Sequence, residues 1–157
     1  MPAIKYQPLL TELVQSLRSG GLDAYGRQPE RVSSVGQDNP CRHCLNFIPE
    51  GTGMLVLAHR PFPEPQPYAE TGPIFLCEAA CEPWKGQNLP PILGSSSDYL
   101  LKGYGPDFRI RYGTGRIVPT DLIPIYALEL FTRDDISFVD VRSARNNCFH
   151  VRIVRDE

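Results

Sequence analysis

A chain of 157 residues that is 41% hydrophobic and 22% charged is long enough to bury a core and too apolar to be disordered. Its net charge of −2 excludes a global electrostatic pull toward nucleic acid or anionic membrane, so we expect nucleic acid and membranes not to be partners. The longest uninterrupted apolar stretch, Met54 to Ala58, is far too short to span a bilayer.

The opening Met1-Pro2-Ala3-Ile4-Lys5 has no apolar segment behind its positive charge and does not read as a secretory signal. Five cysteines without such a signal favour a reducing compartment over a disulfide framework, so we expect a cytoplasmic protein. Pro8 to Ser19 has helical periodicity. Leu9, Leu10, Leu13, Val14 and Leu17 share one face, Pro8 suits the first helical position, and Gly20-Gly21 supply the stop. A polar, irregular stretch follows, with a short strand expected near Arg31 to Val35.

Gly53 to Arg60 carries a continuous apolar run bounded by glycine and proline, the pattern of a strand buried on both faces. Pro61, Pro63, Pro65 and Pro67 then alternate, which excludes helix and interior strand because each lacks an amide hydrogen. A second apolar run spans Pro73 to Cys77, and Glu82 to Ser97 reads as loop. Phe108 to Tyr112 alternates apolar and arginine residues, and Gly113-Thr114-Gly115 reads as a hairpin turn into Arg116 to Val118. Thr120 to Phe131 reads as a helix capped by Thr120 or Asp121, with Pro124 in its first turn. Ile136 to Arg142 and Cys148 to Arg155 read as strands joined by the loop Ser143 to Asn147. With no internal repeat, the pattern predicts one α+β domain over residues 1–157. It is compact, with short, mostly antiparallel strands, an N-terminal helix and one internal helix at about 120–131.

Four of the five cysteines form two close pairs, Cys41-Arg42-His43-Cys44 and Cys77-Glu78-Ala79-Ala80-Cys81. Three chemistries fit them. Four thiolates can surround one tetrahedral ion, zinc first, with His43 as a spare ligand. The CxxC can cycle with a disulfide, with Asn39 and Pro40 opening a short helix, Cys41 attacking and Cys44 resolving. Reduced thiols can also simply be packed in a core, as cysteine often is. Cys148 is the odd cysteine and reads as core or site wall. Against a zinc knuckle, the second pair has a three-residue spacer and Leu45 replaces the glycine that often follows one.

The string CRHCL at 41–45, then Arg60-Pro61-Phe62, then Pro67-Tyr68-Ala69-Glu70-Thr71-Gly72-Pro73-Ile74-Phe75, resembles a bacterial family, domain of unknown function 1203. Val141-Arg142-Ser143-Ala144, Cys148-Phe149 and Arg155 are similar as well. The resemblance spans nearly the whole chain and implies a compact bacterial protein without an established activity.

Other residues compete between chemistry and packing. His43, His59, Tyr68, Glu70 and Trp84 are candidates for one pocket, with Glu70 as base or anchor and Trp84 over the cysteines. The plainer reading packs Tyr68 on prolines and uses Glu70 to cap a turn before Gly72. Arg109, Arg111 and Arg116 form a candidate anion site, against the commoner reading of a solvated strand face. His150, among charged neighbours, is expected to be exposed. No phosphate loop or nucleophile elbow can be placed, so no nucleotide or flavin cofactor is indicated. The reading that best unites these features is a cytoplasmic binding or interaction module, not an enzyme, with structural zinc at Cys41, Cys44, Cys77 and Cys81. A thiol-disulfide redox protein is the alternative, and inert buried cysteines a second one.

Overall fold

The computed structural model describes residues 3–156. The strands β7 (Phe138–Ser143) and β8 (Phe149–Arg155) form the expected terminal hairpin. Onto β8 is added β1 (Ile4–Gln7), and onto β7 is added β5 (Asp98–Tyr104), which carries β6 (Arg116–Pro119) on its far side. All four pairings are antiparallel. Residues two apart share a face, so Tyr99 and Leu101, Val139 and Val141, and Val151 and Ile153 line one side of this five-stranded sheet. The helix α2 (Ile123–Leu130) lays Ile123, Tyr126, Ala127 and Leu130 into the same core.

A second, three-stranded antiparallel sheet runs β2 (Glu30–Ser33), β3 (Gly53–His59), β4 (Gly72–Cys77). Its apolar runs bury Leu55, Leu57, Ile74 and Leu76, while Val56 and Phe75 stay half-buried. The helix α1 (Thr11–Arg18) closes this smaller core with Val14 and Leu17. Phe149 of β8 belongs to it too, which joins the two sheets. The proline series between β3 and β4 forms no regular element, as its missing amides require, and places Phe62 against Tyr104 and Phe138.

The architecture is the α+β class expected, but several local expectations are corrected. Two strands, β1 and β5, were not anticipated. The N-terminal helix begins at Thr11 and not at Pro8, and of its predicted face Leu10 is 71% exposed and Leu13 38%. Phe108 to Tyr112 is not a strand, because Phe108 takes φ +62° and Ile110 makes only a single bridge to Tyr104. Gly113-Thr114-Gly115 therefore turns no hairpin between 108–112 and 116–118, and β6 pairs with β5. One 3₁₀ turn, Thr120–Leu122, precedes α2. Thr120 does not cap the helix, since its hydroxyl donates to Ser96 O at 2.6 Å.

His150 is buried, not exposed, at 8% of its free surface. Burial first, then the nearby Arg42 and Arg142 charges, pushes its pKa down from 6.5 to about 3. The unfolded chain takes up that proton near pH 6.5 while the native chain refuses it until about pH 3. The neutral imidazole's contribution is therefore whole above about pH 6.5, shrinks as pH falls, and is gone below about 3. Urea unfolding at successive pH values should show this decline, on the order of a few kcal/mol. His150→Phe should make it shallower, with the remainder coming from His59, whose pKa burial also pushes down to about 4, and an equally steep decline in that variant refutes the assignment.

Candidate metal centre

Cys41 and Cys44 lie on a tight loop stitched to the smaller sheet. Cys41 forms a parallel bridge with Phe75, Arg42 N donates to Phe75 O at 3.1 Å, and Leu45 N closes the turn on Cys41 O at 3.0 Å. Leu45 adopts φ +56°, the left-handed conformation for which glycine is usual. Its side chain is fully buried in the larger core, so packing offsets the backbone cost. The knuckle geometry is thus present without its usual glycine. Cys77 ends β4, and Cys81 returns after the three-residue loop that follows it.

The four sulfur atoms Cys41 Sγ, Cys44 Sγ, Cys77 Sγ and Cys81 Sγ all lie within 4.8 Å of one another, with Cys41 and Cys81 4.0 Å apart. A disulfide needs about 2.0 Å, so none is formed, and all five cysteines are free thiols. Four thiolates about 2.3 Å from a common ion stand about 3.8 Å from one another. The Cys41–Cys81 separation of 4.0 Å is close to that.

The surroundings favour negative sulfur. The amides of His43 and Cys77 both approach Cys41 Sγ at 3.4 Å. Cys81 Sγ receives Arg18 Nη2 at 3.2 Å and faces His43 Nδ1 at 3.2 Å. His43 Nε2 lies 2.8 Å from Thr11 Oγ1. With the hydroxyl donating to Nε2, Nδ1 carries the proton and donates to sulfur. Hydrogen bonding from Cys44, then from Cys77, lowers the Cys41 pKa from 9.0 to about 6. Contacts from Cys41, Cys44 and Cys77, with His43 adding to them, push Cys81 well down. Cys44 and Cys77, each set against Cys41, are pushed up and hold the remaining protons. Two of the four sites are already biased to thiolate. Only a cation at the centre makes all four so at neutral pH.

The helix expected to activate Cys41 as a redox nucleophile does not form. Residues 41–44 are bridge and turn, Asn39 Oδ1 accepts from Val35 N at 2.7 Å, and Cys41 is fully buried. The five candidate pocket residues do not converge either. His43 sits beside Cys81. His59 lines a groove of about 310 Å³ with Leu10, Phe62 and Arg152. Tyr68 hydroxyl meets Tyr112 hydroxyl at 2.8 Å, and Glu70 takes Lys102 Nζ at 2.6 Å and Asn147 Nδ2 at 2.6 Å. Trp84 belongs to the other cluster, not that of the cysteines. It packs on the larger core, and its amide donates to His43 O at 3.0 Å. The arginine trio is likewise dispersed. Arg109 lies over Tyr68, Arg111 pairs with Asp107 at 3.0 Å, and Arg116 lies over Tyr126.

Thr11 and Arg18 were not singled out from sequence. Both come from α1, and nothing in their spacing announces a reach across to a cysteine loop. Of the groups around the sulfurs, only His43, lying inside the CxxC, carries any signal in the sequence.

Fold and site together define a small, mostly β α+β protein organised around four clustered cysteines. Residues 38–155, well over half the chain, match the family model described as protein of unknown function (DUF1203), and the chain belongs to that family. No curated protein and no solved structure is significantly similar to it. Among the described residues, no helix is long and apolar enough to cross a membrane.

Proposed function

We propose that Cys41, Cys44, Cys77 and Cys81 hold one structural metal ion, zinc first, and that the protein is a cytoplasmic binding or interaction module and not an enzyme. The convergence of four sulfurs within 4.8 Å carries this reading. An all-sulfur donor set selects zinc among the abundant divalent ions of a cell. Four protein ligands leave no open coordination position, which is the arrangement of a structural site and not a catalytic one. The ion would tie the Cys41–Cys44 loop to the end of β4, and through Arg18 and His43 it would also tie in α1. Free thiols throughout suit a reducing compartment.

Elemental analysis of the purified protein tests the reading. We expect one zinc per chain, resistant to dialysis, and a lower melting temperature once a chelator removes it. Protein that stays metal-free after refolding with zinc, with unchanged stability, overturns it. A finer expectation concerns His43. His43→Phe keeps an aromatic ring but removes the hydrogen bond to Cys81, and should weaken zinc affinity about 10- to 100-fold. Competition with a zinc chromophore measures this, and unchanged affinity refutes the role.

A further inference from the structure

The register of β7 and β8 slips at Val141/Arg142, and an unusual group of charges collects around that irregularity. The Arg142 side chain is 4% exposed. Its Nη1 donates to Asn147 O at 2.9 Å. Its Nε and Nη2 are buried and have no hydrogen-bond partner. These two nitrogens form one edge of the guanidinium, with parallel N–H donors at the spacing that a carboxylate or phosphate accepts with two oxygens. Its nearest carboxylate, Glu70, stands 3.8 Å away on the Nη1 side and is already held by Lys102 at 2.6 Å.

The neighbours reinforce the imbalance. Arg42, 3% exposed, donates Nε to Phe149 O at 2.9 Å and Nη1 to Pro40 O at 2.7 Å, with no carboxylate bonded to it. Phe149 is the residue that faces Arg142 in register, and the Arg142 guanidinium lies 5.8 Å from its ring. His150, next in the chain, is buried and its Nδ1 also lacks a partner. Burial first lowers the pKa of both His59 and His150; nearby arginines add to it, Arg152 ahead of Arg42 and Arg142 at His59, and Arg42 ahead of Arg142 at His150. A buried guanidinium with an unclaimed bidentate edge, beside a second without an acid, is costly unless something negative completes it.

We propose that the Nε/Nη2 edge of Arg142, in the positive field of Arg42, binds a small oxyanion, a carboxylate or a phosphate, at the β7–β8 irregularity. The exposed loop Arg145 to Asn147 borders this group, and the carbonyl of its last residue, which takes φ +58°, accepts from Arg142 Nη1. This site is separate from the cysteine centre and does not depend on its metal.

Thermal unfolding with inorganic phosphate, with acetate and with chloride at matched ionic strength tests the proposal on the full chain. Saturable stabilisation by phosphate points to a tetrahedral anion, and by acetate to a planar one; either supports it. Arg142→Lys retains a charge and most of the stem but loses the paired donors, and should weaken the binding at least about tenfold by calorimetric titration. Arg42→Lys, further from the fork, should bind more weakly than wild type but more tightly than Arg142→Lys. If neither anion stabilises the wild-type chain beyond chloride, the unclaimed edge is met by water alone and the proposal falls. It falls equally if Arg142→Lys folds and binds as tightly as wild type.

Discussion

Cys41→Ala should leave the protein without stoichiometric zinc and cost about 3–5 kcal/mol of stability, roughly 10 °C or more in melting temperature. Cys41 is the most deeply set of the four sulfurs. It is fully buried, and its sulfur receives two backbone amides. Removing it would take one of the four ligands from the proposed site and leave those amides facing a void. Structural zinc supplies more than this in isolated zinc-finger peptides, but here two hydrophobic cores persist without it, so the loss is partial. Cys148→Ala is the control. Its thiol is half-buried, has only a weak contact with Asn146 O at 3.9 Å, and should affect zinc content not at all. Elemental analysis with a thermal melt decides the matter: full zinc content in Cys41→Ala, or loss of zinc in Cys148→Ala, contradicts the assignment.

Asp140→Asn should be nearly as damaging, at about 3–5 kcal/mol by urea unfolding, although it touches no cysteine. Asp140 is 0% exposed and grips Arg152 with both oxygens, at 2.7 and 3.0 Å. Arg152 also donates to Pro61 O at 2.6 Å, and its guanidinium lies 3.8 Å from the Phe138 ring centroid. The pair thereby pins the proline-rich loop to the five-stranded sheet. Neutralising the acid strands a cation between aromatic rings with no counter-charge. The double variant Asp140→Asn, Arg152→Met removes both charges and should recover much of the loss. A single variant within about 1 kcal/mol of wild type would show that the pair carries little weight.

The legible parts of the chain are those in which local pattern and burial agree. The runs at Met54 to Ala58 and Pro73 to Cys77 are strands because both pack between α1 and their neighbours. The terminal hairpin follows from two apolar runs with a polar link. The alternation of Phe108 to Tyr112 misled because the chain there bends around Gly105. A side chain at Gly105 would collide with Arg111, and Phe108 turns left-handed to reach Phe62 and Phe138. Strand β5 follows a serine-rich loop and carries no local signal, yet it is an interior strand of the larger sheet. Its apolar Tyr99 and Leu101 have meaning only once β7 and β6 flank it. His150 reads as exposed beside Arg152, but the slip between β7 and β8 turns it toward Tyr99, with ring centroids 5.2 Å apart.

By itself the sequence determined the α+β class, the family and the two cysteine pairs, because each rests on residues close together along the chain. Only the tertiary structure decided that the pairs meet, since that requires the Cys41 loop to dock beside β4 across more than thirty intervening residues. It alone supplied Thr11, Arg18 and the unclaimed edge of Arg142. Whether a charge is shared or stranded depends on what folding brings against it, and no spacing along a chain encodes that.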